Sequence, residues 1–172
     1  MRRKDLEVTG KENIEAIFKR CRSLRLGMIA DGKPYIIPMV FGYSWDEDGL
    51  FIYLHSGFKG RKAQALSEGA LICFEMDIDE GLMGQGSLGN TYTRAFSALM
   101  GEGVLEYAKN EEEKLEYFKN IMKHQTGRDE FSFESAYLAV TMVFRIKVDM
   151  ESLSASRKEL SPSTHIPEVV HK

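Results

Sequence analysis

Hydrophobic positions change period several times along the chain, and each change predicts an element. Over TGKENIEAIFKRCRS, Ile14, Ile17, Phe18 and Cys21 recur at i, i+3, i+4 and i+7, one face of a helix. Thr9 and Glu12 ahead of them have capping-box spacing. LRLGMIA and YIIPMVF read as two strands joined by a turn at Asp31-Gly32. Pro38 lies inside the second. Lacking an amide hydrogen, it places that backbone at an edge, at a bulge or beside a ligand. After the turn WDEDG, LFIYLH alternates, with Leu50, Ile52 and Leu54 on one face and Phe51, Tyr53 and His55 on the other. GRKAQALSEG predicts a short helix, ALICFEM an apolar strand, and residues 77–91 a glycine-rich loop. TYTRAFSALMGEGVLEY is a long extended segment in which Gly101 and Gly103 mark a bulge or bend. A second helix follows in NEEEKLEYFKNIMKHQTG. Asn110 and Glu113 suit its first turn, Leu115, Phe118, Ile121 and Met122 form its buried stripe, and Gly127 stops it. YLAVTMVFRIKVDM reads as a last strand. From Glu151 the chain turns polar, and SPSTHIPEVVHK reads as a loose tail.

The predicted order is helix, three strands, helix, two strands, helix, strand. Hairpins rather than crossover helices join most strand pairs, which predicts an antiparallel sheet or barrel with a few packed helices and excludes a doubly wound fold. A length of 172 residues suits one domain. Charged residues make up 28% with a net charge of -3, without the basic excess of a nucleic-acid or anionic-membrane binder. No apolar run is long enough to cross a bilayer, and MRRKDLEVTG has no apolar region behind its charges, so it does not read as a secretory signal. Cys21 and Cys73 lack C-x-x-C spacing and sit in apolar contexts, which predicts two buried reduced thiols and a cytoplasmic protein.

Two stretches carry candidate chemistry. GQGSLG (84–89) spells G-x-G-x-x-G, but that fingerprint needs a helix after its third glycine to face a pyrophosphate. Here NTYTRAFSAL follows, and Thr91, Tyr92, Thr93 and Phe96 favour a strand, so the stretch is expected to be a flexible hairpin loop. HSGFKGRK (55–62) is the better anion site. A strand ends at His55, Gly57 and Gly60 permit a tight turn, and a short helix starts near Gly60. Ser56 adds a hydroxyl, and Lys59, Arg61 and Lys62 add three cations. The alternative is a solvated basic turn.

The block RLGMIADGKPYIIPMVFGYSWDEDGLFIYLHSGFKGRKAQAL resembles the pyridoxamine 5′-phosphate oxidase-like, FMN-binding split-barrel superfamily, and within it the 5-nitroimidazole resistance (Nim) family. The matching residues are Gly32, Pro34 and Tyr35; Phe41, Gly42 and Tyr43; His55 and Ser56; and Gly60, Arg61 and Lys62. The resemblance covers about residues 5–150 and implies a mainly β fold, a six-stranded antiparallel split barrel over 1–150, with 151–172 as a polar tail. It further implies a homodimer with FMN, or alternatively FAD, at its interface. Ile37, Pro38, Met39, Val40 and Phe41 would lie against the isoalloxazine ring, largely through backbone. Ser56, Gly60, Arg61 and Lys62 would hold the phosphate, and His55 would lie by the flavin with a catalytic part.

Two departures matter. Many relatives carry an aromatic residue, a variable residue and then serine in the strand before Gly101. Here Phe96-Ser97-Ala98 puts the serine one step early, on the other face. The C-terminus also lacks the basic substrate-binding ending of true pyridoxamine phosphate oxidases, and Arg157 and Lys158 are not in that pattern. The resemblance therefore implies a flavin reaction other than vitamin B6 oxidation. The expectation is reduction of a small electron-poor acceptor such as a nitroaromatic, with a non-enzymatic flavin- or haem-binding module as the alternative. No metal site is expected. His165 and His171 share the tail without cysteine or clustered carboxylate partners.

Overall fold

Nine strands and four helices are present among the described residues of the computed structural model, which are 3–161 and 163–166. In chain order they are α1 (Lys11–Arg20), β1 (Ser23–Ala30), β2 (Lys33–Val40), β3 (Gly42–Trp45), β4 (Leu50–Gly57), α2 (Arg61–Ala65), β5 (Leu71–Met83), β6 (Thr93–Tyr107), α3 (Glu111–Thr126), α4 (Ser135–Ala139), β7 (Thr141–Val148), β8 (Ser154–Lys158) and β9 (His165–Ile166). The sheet runs β2-β1-β5-β6-β7-β4-β3, with β8 on β6 and β9 on β5. The β1–β2, β1–β5, β3–β4, β4–β7, β5–β9 and β6–β7 pairs are all antiparallel. This is the mainly β, antiparallel architecture of the split-barrel expectation, with nine strands rather than six.

The chain forms two compact units. One comprises Arg22–Glu75 and Met100–Leu153, the other Met1–Cys21, Met76–Leu99 and Ser154–Lys172. In the first, β1 alternates, with Leu24, Leu26, Met28 and Ala30 buried. β4 is buried on both faces. Leu50, Ile52 and Leu54 are fully covered, while Phe51 and Tyr53 join a cluster with Tyr117, Phe118 and Ile121 of α3. Helix α3 begins where predicted: the Asn110 side chain accepts from the Glu113 amide at 2.9 Å, and the Glu113 carboxylate accepts from the Lys109 amide at 2.7 Å. Gly127 ends it in the left-handed region, at φ 74°.

In the second unit α1 buries Ile17 and Phe18 as its period predicts. Its N-cap, however, is Gly10 rather than Thr9, without a side-chain cap, so the capping-box expectation is corrected. Gly10 takes φ 85°, open to glycine and strained for threonine, and so sets the start one residue later. Residues 77–83, expected as loop, continue β5. Their polar side chains are matched across the strands and to α1: Arg94 donates to Asp79 at 2.8 Å, and Arg20 donates twice to Glu80, at 2.6 and 2.8 Å. The polar segment after Glu151 holds a strand ahead of the stretch read as a loose tail. Ser154–Lys158 form β8 with Ala155 buried, and the Val8 amide donates to Ala155 O at 2.9 Å. His165 pairs with Met83, while His171 lies outside the described residues.

Neither cysteine forms a disulfide among the described residues, and only Cys21 is buried. Cys73 faces outward opposite Gly27, because the β1–β5 register puts Phe74 rather than Cys73 on the core side. No helix among the described residues is long and apolar enough to cross a membrane.

Candidate functional site

Strand β2 ends the sheet order, so only one of its edges meets a strand, β1. The register runs from Ser23 opposite Val40 to Ala30 opposite Lys33, with Pro38 opposite Arg25. This makes Pro38 an edge-strand proline, one of the three situations its missing amide allows. Met39 is buried and Ile37 half-buried on the core side, whereas Ile36, Pro38 and Val40 are exposed on the other. Phe41 is fully buried. Its carbonyl accepts from Gln125 Nε2 at 2.8 Å, and its ring lies 4.6 Å from that of His124. Among the described residues, Ile37–Val40 thus offer a backbone edge that pairs with no second strand, beside apolar side chains, and Phe41 anchors the end of this edge to α3.

The second element is the end of β4 and the turn into α2. His55 is half-buried, with its ring 5.3 Å from Phe118. Its Nδ1 is buried and has no hydrogen-bond partner among the described residues. Such an orphan atom is rare in folded proteins and marks a place that a ligand can complete. Burial, and after it the Lys62 ammonium, push the His55 pKa below its ordinary 6.5, so the ring favours its neutral form at pH 7. Ser56 is buried, and its hydroxyl donates to Gly57 O at 3.1 Å. Gly60 sits at φ 97°, where the absence of a Cβ lets the chain turn into α2.

The three cations do not behave alike. Lys62 is half-buried and close enough to His55 to affect its titration. Lys59 is exposed. Arg61 folds back onto the β1–β2 hairpin. Its guanidinium donates to Ala30 O at 3.4 Å, lies 3.6 Å from the Asp31 carboxylate and stands 4.5 Å over the Tyr35 ring. Arg61 therefore ties the 55–62 turn to the hairpin that begins β2. Phe118 and Gln125 of α3 were not singled out as site residues from sequence. Phe118 had only the signal of that helix's apolar stripe, and Gln125 had none.

The other sequence candidates lie apart from this arrangement. Ser97 is fully buried, and its hydroxyl is taken up by Glu80 at 3.1 Å and Arg157 Nε at 3.4 Å. GQGSLG connects β5 to β6, with a 3₁₀ turn (Gly89–Thr91) where a phosphate loop would need a helix. The loop is tied by its own hydrogen bonds: Thr91 donates to Gln85 O and Leu88 O, each at 2.7 Å, and Tyr92 donates to Gly86 O at 2.8 Å. Among the described residues no three His, Cys, Asp or Glu side chains group as metal ligands.

A flavin presents a flat ring with polar edge atoms and a phosphate. The unpaired β2 edge, the orphan His55 Nδ1, the Ser56–Gly60 turn and Lys62 are the matching groups. The residues present fit.

The sequence model of the family described as pyridoxamine 5′-phosphate oxidase matches residues 10–155. A comparison with curated protein sequences finds no match. Among solved structures, a protein from Bacteroides thetaiotaomicron provisionally assigned to 5-nitroimidazole antibiotic resistance is 27% identical, with a TM-score of 0.74 over 90% of each chain. An FAD- and haem-binding protein from Mycobacterium smegmatis is 17% identical, with a TM-score of 0.77 over 91% of this chain and 75% of its own. The flavocytochrome Anf3 from Azotobacter vinelandii is 21% identical, with a TM-score of 0.67 over 99% of this chain and 88% of its own.

Proposed function

The chain belongs to the pyridoxamine 5′-phosphate oxidase family, and from that premise we propose that it is a flavin-dependent reductase of a small electron-poor acceptor, with FMN as cofactor and a nitroaromatic such as a 5-nitroimidazole as acceptor. The observation that carries the reading is the orphan Nδ1 of His55 beside Lys62, where β4 runs into a glycine turn. The similarity to the protein provisionally assigned to 5-nitroimidazole antibiotic resistance supports the acceptor class. A bound flavin would take two electrons from a reduced donor, a nicotinamide or another, and pass them to the acceptor. The chain's residues do the rest: the β2 edge orients the ring through backbone, Lys62 and Ser56 hold the phosphate, and His55 delivers a proton to the acceptor. Because the imidazolium is the donor form, acceptor reduction should fall as pH rises through the lowered pKa of His55. His55→Ala should slow reduction, flatten that profile and leave flavin bound. A profile unchanged in His55→Ala would remove His55 from proton delivery.

The absorption spectrum of the purified protein tests the cofactor. Oxidised-flavin bands are expected, and the mass of the released cofactor separates FMN from FAD. The alternative, a haem-binding module, draws on the neutral, unpartnered imidazole nitrogen that metal ligation requires and on the FAD- and haem-binding neighbour. A Soret band without flavin bands would favour it.

The working form in this reading is a homodimer with the cofactor at its interface. Ile29, Ile36 and Leu71 are 65%, 67% and 64% exposed, and the β1–β2 and β1–β5 registers set them on one sheet face. An apolar face of this kind marks a contact surface. Ile36→Glu should convert the dimer into a monomer that has lost flavin. A mass measurement finding wild-type monomer with flavin fully bound would refute the assignment.

GQGSLG takes no part in this reading. Gly86→Ala would force a side chain into φ 69°, a local strain of roughly 1–2 kcal/mol. Gly84→Ala would press a Cβ into the Tyr92 ring, 2.6 Å from Cε1. Both should loosen the loop yet leave FMN affinity within about twofold, far below the tenfold that 1.4 kcal/mol brings. Loss of flavin from either folded variant would revive a nucleotide loop.

A further inference from the structure

The unit formed by Met1–Cys21, Met76–Leu99 and Ser154–Lys172 holds a polar relay, buried at Ser97 and open to solvent at Arg20, that the proposed flavin chemistry does not use. Ser97, in β6, is fully buried. Its hydroxyl donates to Glu80 Oε1 at 3.1 Å and accepts from Arg157 Nε at 3.4 Å. Glu80 also accepts two hydrogen bonds from Arg20, so its carboxylate is already matched by one cation. Arg157 is half-buried, and among the described residues its hydrogen bonding ends at Nε. The two terminal nitrogens of its guanidinium, four N–H donors in a fixed plane, remain for another acceptor.

Arg157 lines a cleft of about 260 Å³ together with Arg20, Glu80, Lys158, Glu159 and Leu160. With Arg20 and Glu80 cancelling, this wall carries Arg157 and Lys158 against the exposed Glu159, a net excess of one positive charge. Lys158 is itself held, its Nζ donating to Thr93 Oγ1 at 3.0 Å. The adjoining cleft of about 460 Å³ also touches Arg157 and Lys158, but Asp5, Glu7 and Glu159 line it, which disfavours an anion there. We propose that the 260 Å³ cleft is a binding site for a small oxyanion, a phosphate or carboxylate group, gripped end-on by the Arg157 guanidinium with Lys158 as second cation. A guanidinium anchored by Nε presents its two outer nitrogens as a fork, the geometry that takes a planar or tetrahedral oxyanion through paired hydrogen bonds. The relay through Ser97 and Glu80 to Arg20 holds that fork in place at Nε, and Arg20 takes both Glu80 oxygens by hydrogen bonds.

Inorganic phosphate titrated into the full-length protein at constant ionic strength tests the site, with acetate as the carboxylate arm and chloride as the balancing ion. The Nε–Hε NMR signal of Arg157, assigned by its loss in Arg157→Lys, is the readout. Phosphate should shift it saturably, and Arg157→Gln should weaken phosphate binding by about ten- to a hundredfold. Arg157→Lys, which keeps the charge and loses the fork, should recover part of that affinity. A saturable acetate shift identifies the natural group as a carboxylate, and a phosphate shift alone as a phosphate. A signal unmoved by either anion overturns the proposal. So does phosphate that binds Arg157→Gln as tightly as wild type, or that leaves only when FMN is added. Should Arg157→Gln fail to fold, the wild-type titration decides alone.

Discussion

Replacing Gly42 with alanine is expected to cost about 3 kcal/mol or more of folding stability, at the upper end of what forced overpacking does. Gly42 opens β3 directly after Phe41, and a Cβ there would stand 2.5 Å from Ile121 Cα and press on the carbonyl group of Asn120. Those atoms are backbone of α3. They cannot turn aside as the end of a side chain could, so strand or helix must shift. The helix is not free to shift, because Tyr117, Phe118 and Ile121 pack on Phe51 and Tyr53, and Gln125 donates to Phe41 O at 2.8 Å and Arg22 O at 3.0 Å. Gly57→Ala is the control. Nothing lies within 4 Å of its would-be Cβ, and its φ is not positive, so it should stay within about 0.5 kcal/mol of wild type. Denaturant midpoints at unchanged slope give both values. Equal midpoints for the two variants would mean that α3 does not press on Gly42.

The elements legible in the sequence were those whose stabilisation is local or strictly periodic. Helix α3 announced itself through Asn110, Glu113 and Gly127, since caps act within one turn. Strands β1, β2 and β4 were legible from alternation bounded by turns. The missed elements are too short to show a period of their own or carry polar side chains whose partners lie elsewhere. β3 is four residues long and exists by pairing with β4, Gly42 opposite Tyr53 through Trp45 opposite Leu50. The second half of β5 carries Asp79 and Glu80, which read as loop until Arg94 and Arg20 are seen to meet them. In YLAVTMVF the first residues close α4 rather than begin β7, and the Thr141 hydroxyl donating to Tyr137 O at 2.8 Å marks the junction.

The candidate site divides the same way. The glycines, hydroxyl and cations of HSGFKGRK are a local pattern and could be recognised as one. That Arg61 would turn to Asp31 and Tyr35 could not be, because the β1–β2 hairpin makes that choice, nor that Lys62 would be the cation that acts on His55. Nor could the sequence show that α3 would place Phe118 against His55, since 63 positions separate them. Residue chemistry alone reached an anion site, and the flavin came from the family resemblance.

That division makes Lys62 the sharpest test of the proposed function. Lys62→Ala is expected to weaken FMN binding by about ten- to a hundredfold, the loss of one charge-assisted hydrogen bond worth roughly 1.5–3 kcal/mol at about 1.4 kcal/mol per decade. Riboflavin has no phosphate, so its affinity should barely move. FAD should weaken with FMN, because its phosphates need the same charge. Arg61→Ala is a poorer probe, since it also removes the contacts to Ala30, Asp31 and Tyr35 that hold the turn. Lys62→Ala carries a second readout in the protein without cofactor. Burial is the larger cause of the lowered His55 pKa and the Lys62 ammonium the smaller, so removing that ammonium should raise the pKa part of the way back toward 6.5. The sign for stability follows. A histidine whose folded pKa is depressed contributes its full stabilisation above the unfolded value of about 6.5 and loses it as pH falls through the folded value. The variant should therefore lose less stability than wild type between pH 7 and mildly acidic pH. Equal weakening of FMN and riboflavin would return the 55–62 turn to a solvated basic surface. An unmoved His55 titration would mean that Lys62 does not act on the imidazole at all.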